Sequence, residues 1–251
     1  MIRWRLTSPA EASLNFGQTP GLALKRQLQF VHIGKSGGST VEKLLSVSPV
    51  ISERYSSFFE SHVNGVVLDP NCDYLFCIRN PIDRAFSAFE WRKKLVIEEA
   101  LPEQVRRFSG ERKVLRQYQS LGGMARALYR SDGRLNQAVA RDFHCVHHLR
   151  ESISFYCRPL LGVLTPGNIF GVVCQEQLAA DCARLLEVDA SGLRERNNTS
   201  KQSIARDLDA KAVNNLKRFL ADDYQCLMAL WSLGALSDRQ FMCVFKSSIE
   251  G

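Results

Sequence analysis

Lys35 directly follows the apolar stretch that runs from Phe30 into Gly34, and Ser36, Gly37, Gly38, Ser39 and Thr40 follow it. Paired glycines let main chain approach a ligand, successive N–H groups form an anion-binding concavity, and a following helix adds its partial positive end. The helical spacing of "STVEKLLSVS" supplies that helix, so the segment suits a phosphate or a sulfate. A plain Gly-Gly turn between strand and helix is the other reading of the same residues. An ATP-binding Walker loop is excluded by spacing, because its first glycine falls five positions before Gly34, on Gln29 inside the strand pattern.

A second junction offers the same chemistry. In "CIRNPIDRAFSAFEWRKKL", Arg79 ends an apolar run and Ser87 follows eight residues later, about two helical turns (~11 Å) on. A guanidinium and a hydroxyl at that spacing can share a phosphate. Alternatively Arg79 and Arg84 pair with Asp83 or Glu90 on a solvated face. Between the two junctions stands His62, whose residue type suits proton abstraction near neutral pH. "HCVHH" spaces His144, His147 and His148 so that one helix face could carry all three, for zinc or, with no fourth ligand signalled, for contact with substrate or solvent.

These residues need strands to carry them. "LQFVHI" (28–33), "DYLFCI" (73–78) and "NIFGVVC" (168–174) read as buried strands. Asn80-Pro81, with Asp83 in the first turn, caps a helix starting at about residue 81, and a last helix is predicted from about Asp209 to Leu233. Residues 1–27, with Pro9, Gly17, Pro20 and Gly21, read as an irregular arm. Roughly 100–160 is helical in pattern, broken at "SDGR" (131–134), and rich in basic residues. Arg92, Lys93, Lys94, Arg106, Arg107, Arg112, Lys113 and Arg116 either line a groove for an anionic acceptor or form a solvated helical surface. Strands alternating with helices give an α/β fold with a mostly parallel sheet in a single domain, 1–251.

Composition sets the outer limits. The chain has 251 residues, is 45% hydrophobic and carries a formal charge of +7, which favours an anionic ligand or surface. Eight cysteines without a CxxC pair read as reduced thiols. No apolar run approaches the ~20 residues that span a bilayer, and "MIRWRLTSPAEASLNFG" lacks the apolar stretch of a secretory signal, so a cytoplasmic location is expected.

The two motifs in order resemble those of the PAPS-dependent sulfotransferases. "FVHIGKSGGST" looks like their 5′-phosphosulfate loop (PKTGGTT or similar), and "RNPIDRAFS" looks like their 3′-phosphate motif. The closest likeness is to the carbohydrate branch that includes the heparan sulfate 2-O- and 6-O-sulfotransferases, over roughly residues 28–230. Gly34 departs from the pattern, which usually has proline there. The resemblance implies a P-loop-NTPase-like three-layer fold and transfer of a sulfuryl group from PAPS to a hydroxyl, leaving PAP, without a metal. It further implies Lys35 on the bridging oxygen, Ser36, Gly37, Gly38, Ser39 and Thr40 around the 5′-phosphate, and Arg79 with Ser87 on the 3′-phosphate. "ESHVNGVVLD" is similar to the segment carrying the catalytic histidine, which makes His62 the base, with Glu60 and Glu53 in reserve because some relatives use a glutamate. "NNTSK" (197–201) resembles a downstream loop in which Thr199, Ser200 and Lys201 close over the nucleotide. It equally reads as a polar linker, and its glycosylation sequons are expected to go unused. The implied partner is a hydroxyl-bearing glycan or glycoconjugate, not a nucleic acid. Two other classes fit parts of this pattern: a nucleotide or small-molecule kinase, and a non-catalytic polyanion-binding module with steep salt dependence.

Overall fold

The structure is a computed structural model that describes residues 25–62, 65–189 and 207–246. Four strands, β1 (Gln27–His32), β2 (Ser57–Ser61), β3 (Cys72–Ile78) and β4 (Ile169–Cys174), form one sheet in the order β2-β1-β3-β4. Every pairing is parallel. All seven residues of β3 are buried, as a central strand covered on both faces requires. The α/β architecture and the parallel sheet are therefore as the sequence predicts. β2 is an addition: a short edge strand whose five residues show neither a buried run nor a strict alternation.

Period-two alternation divides the sheet between two cores. Leu28, Phe30, Leu75 and Cys77 face helices α1 (Gly38–Leu45), α2 (Pro49–Arg54) and α9 (Leu178–Leu186). Val31, Tyr74, Phe76 and Ile78 face α8 (Ile153–Leu160) and the helices Ala221–Ser232 and Asp238–Phe245. The connection leaving β1 thus runs over one face and the long connection leaving β3 ends over the other. Their carboxyl ends flank a topological switch point, the crevice where open α/β sheets bind ligands.

α3 (Pro81–Lys93) starts as predicted: the Asn80 side chain accepts from the amides of Ile82 and Asp83, and Pro81 takes the first turn. A π-helical turn, Lys94–Glu98, extends it, and α4 (Pro102–Arg107) follows. The apolar face of α3 builds a third core with α5 (Glu111–Tyr118), α6 (Leu121–Ala127), α7 (Gln137–Cys145) and the helix Ala210–Phe219. The break at 131–134 is a turn closed by a bridge between Tyr129 and Leu135. Two expectations are corrected. The predicted helix 209–233 is two helices, because Leu220 leaves helical geometry between Phe219 and Ala221. Arg92 does not line a groove: it is 2% exposed and holds Glu111 through two nitrogens, at 2.9 and 2.7 Å, with Gln104 as a second partner.

All eight cysteines are free, and six are buried. No helix among the described residues is long and apolar enough to cross a membrane. The irregular arm up to residue 24 lies outside the described residues, as do Thr199, Ser200 and Lys201.

Candidate functional site

The carboxyl ends of all four strands meet at one edge of the sheet. β1 delivers the Lys35 loop. Lys35 has φ +69°, a left-handed conformation costing a non-glycine residue of order 1–3 kcal/mol, and such strain concentrates at functional loops. Gly37, at φ +88°, precedes α1. The amides of Gly38 and Ser39 open that helix, where geometry leaves N–H groups without intrahelical partners. The Thr40 amide is bonded to Gly37 O at 3.0 Å, so its hydroxyl is the group left to meet a ligand. Ser36 is set back: it is fully buried, and its amide is used by Ile33 O. The Ser36 hydroxyl is buried with no hydrogen-bond partner among the described residues.

The Lys35 ammonium lies 4.6 Å from the centre of the Trp91 ring on α3. Ser87 sits four residues before Trp91, on the same helix face, so the lysine head is brought to the stripe that carries the predicted serine. Arg79, at the end of β3, donates to Lys35 O at 3.5 Å. Burial, and then the adjacent Arg79 charge, pull the Lys35 ammonium down to about 8. Two cations at the ends of adjacent strands favour anionic groups beside them.

Arg84 does not lie on a solvated face. It is 1% exposed, and its Nη1 donates to Gly34 O at 3.1 Å and to His148 O at 2.8 Å, tying the loop to the segment after α7. That segment also fills the space beside Gly34. A Cβ on Gly34 would stand 2.5 Å from His148 Nδ1, so the imidazole takes the volume that a side chain at 34 would need.

β4 contributes residues that the sequence reading missed. A Cβ on Gly37 would meet Gln175 Oε1 at 2.0 Å, so the Gln175 amide roofs the loop. Glu176 turns Oε1 inward to accept from the Asn80 amide at 2.7 Å, beside Arg79. Desolvation of the carboxyl pushes it up to about 7 against the pull of the Asn80 amide and Arg79. Their only sequence signal is position, directly after a predicted strand.

β2 delivers His62. In the parallel register Val31 stands opposite Ser61, so the next pair along is His32 and His62. Their rings stack at 4.3 Å with 23° between planes. His62 Nδ1 lies 2.8 Å from His32 O. A carbonyl only accepts, so Nδ1 carries a proton, and in the neutral ring Nε2 keeps the lone pair that a general base needs. Of the reserve candidates, Glu60 is bonded to His32 Nδ1, and Glu53 is exposed on α2.

The three-histidine helix face does not form. α7 stops at Cys145, and His148 has φ +66°. His147 and His148 stack at 3.9 Å while His144 turns to Phe219. Burial, chiefly, holds His147 down to about 4 and His148 far below the usual imidazole range. Among the described residues, two trios have ligand atoms within 4.8 Å of one another: His32, Glu60, His62 and His147, His148, Glu151. In both, the paired rings lie 23° from parallel, so in-plane lone pairs run side by side instead of converging on one point. A zinc ion with bonds of ~2.0–2.1 Å to both rings would require them to turn. As they stand, His32, Glu60 and His62 form a hydrogen-bonded cluster, whereas in the second trio the His148 main-chain amide bonds Glu151 and Nδ1 of both His147 and His148 is buried without a hydrogen-bond partner among the described residues.

Comparison with protein-family models, curated proteins and solved structures gave no match.

Proposed function

We propose that the protein is a PAPS-dependent sulfotransferase acting on a hydroxyl of a carbohydrate or glycoconjugate, on a P-loop-like three-layer fold. One observation carries this reading: the lysine loop after β1 and the arginine after β3 adjoin across the switch point, with an imidazole of open Nε2 at the end of β2. PAPS presents two anionic groups that need two separate cationic cradles. The loop with Lys35, Gly37, Gly38, Ser39 and the Thr40 hydroxyl would hold the 5′-phosphosulfate. Arg79 and Ser87 would hold the 3′-phosphate.

In the reaction, the acceptor O–H gives its proton to His62 Nε2 as the oxygen attacks sulfur. The O–S bond forms, the bond from sulfur to the 5′-phosphate oxygen breaks, and the charge left on that oxygen is met by Lys35. A general base contributes typically 10²–10⁴-fold, and the positioned lysine acts on charge that develops only in the transition state.

Calorimetric titration with PAP, against 5′-AMP and ATP with Mg²⁺, tests the reading. PAP should bind with micromolar affinity and lose it when the 3′-phosphate is absent. Arg79→Ala should weaken PAP binding and leave 5′-AMP nearly unchanged. Preference for ATP, or no binding of PAP, refutes it.

A further inference from the structure

We propose that His32, anchored by Glu60, is the positioning residue of the base His62; the inference rests on the sulfotransferase reading and deepens it. His32 touches His62 twice. Its carbonyl accepts from Nδ1 at 2.8 Å, and its ring forms the surface on which the His62 ring lies. Glu60 Oε1 meets His32 Nδ1, so that nitrogen is the donor and the ring is fixed from its far side. Phe30 stacks beneath at 5.6 Å. The opposite edge of the imidazole faces the cofactor loop, where a Cβ on Gly38 would fall 2.2 Å from His32 Nε2.

His32 is thus a rigid spacer between the loop that would hold the sulfuryl donor and the ring that would take the acceptor's proton. A base misplaced by an ångström loses much of its effect, which gives the spacer its consequence for rate. The ionisable groups around the pair are Glu60 from β2 and His148 from the segment after α7. Burial and the neighbouring His62 hold the His32 imidazole below its ordinary range, so it stays neutral as a spacer should.

The test compares Glu60→Gln with Glu60→Ala. Glutamine keeps an oxygen to accept from His32 Nδ1, whereas alanine removes it. With only five histidines in the chain, imidazole ¹⁵N spectra resolve the tautomer of His32 directly. Glu60→Gln should keep His32 as the Nδ1–H tautomer and hold kcat within roughly threefold. Glu60→Ala should mix the His32 tautomers and lower kcat roughly tenfold or more, with PAP affinity changed less than twofold. Equal loss in both variants would make the Glu60 charge the working group and overturn the proposal. So would an unchanged tautomer in Glu60→Ala, or stoichiometric zinc in the purified protein. If the wild type fails to bind PAP, the functional reading falls, while the tautomer comparison still decides the positioning claim.

Discussion

Gly38→Ala probes the junction between loop and base most sharply. The new methyl would lie 1.9 Å from His32 Cδ2, 2.2 Å from Nε2 and 2.6 Å from Cγ. Carbon contacts settle at ~3.5–4.0 Å, so something must retreat by roughly 1.5 Å. The imidazole cannot do so: it is 8% exposed, lies between Phe30 and His62, and is held at Nδ1 by Glu60. Overpacking of this kind costs about 1–3 kcal/mol, or a fall in Tm of roughly 2–4 °C per kcal/mol for a chain of this size. Urea melts of wild type and variant measure it. Gly162→Ala is the control, because a Cβ there meets nothing within 4 Å and should change stability by less than about 0.5 kcal/mol. Adding His32→Ala to Gly38→Ala should recover part of the loss, with a coupling of about 1 kcal/mol or more. A Gly38→Ala protein that melts with the wild type and binds PAP equally would refute the packing of His32 against the loop, and the spacer role with it.

Three further outcomes are expected. Arg92→Ala should destabilise the fold by about 3–5 kcal/mol in urea melts because it leaves Glu111 buried without its ion partner, whereas Arg92→Met with Glu111→Leu should cost far less. Lys35 has its folded-state pKa lowered to about 8, so the folded protein sheds this proton before the unfolded chain does. Stability gains from Lys35 therefore as pH rises through about 8 toward 10.5, while calorimetric PAP affinity should fall over the same rise and stay flatter in Lys35→Arg. The Glu176 carboxyl, raised to about 7 beside Arg79, should oppose a bound phosphate when ionised. PAP affinity measured from pH 8 to 6 should thus increase as pH falls, and Glu176→Gln should bind more tightly at pH 8 and lose much of that dependence.

Local chemistry made much of this molecule legible in advance. Short, nearly continuous apolar runs marked β1, β3 and β4, Asn80-Pro81 marked the start of α3, and paired glycines marked the loop before α1. Those signals are complete within a few residues, because caps, turns and short apolar runs are short-range physics. The sequence by itself therefore determined that a lysine loop and an arginine would each end a strand of a parallel sheet. It could not determine their companions. His32 read as one more residue of a buried strand until Glu60, 28 residues away, and His62 closed around it. Arg92 read as a surface cation until Glu111 met it in the core. β2 carried no periodic signal, and Leu220 broke a helix that its neighbours' spacing favoured. Which distant groups satisfy a buried donor, and which ring fills the space above a glycine, depend on contacts that exist only once the layers have packed. Tertiary structure therefore chose the surroundings of each reactive group, and with them its tautomer, charge and reach.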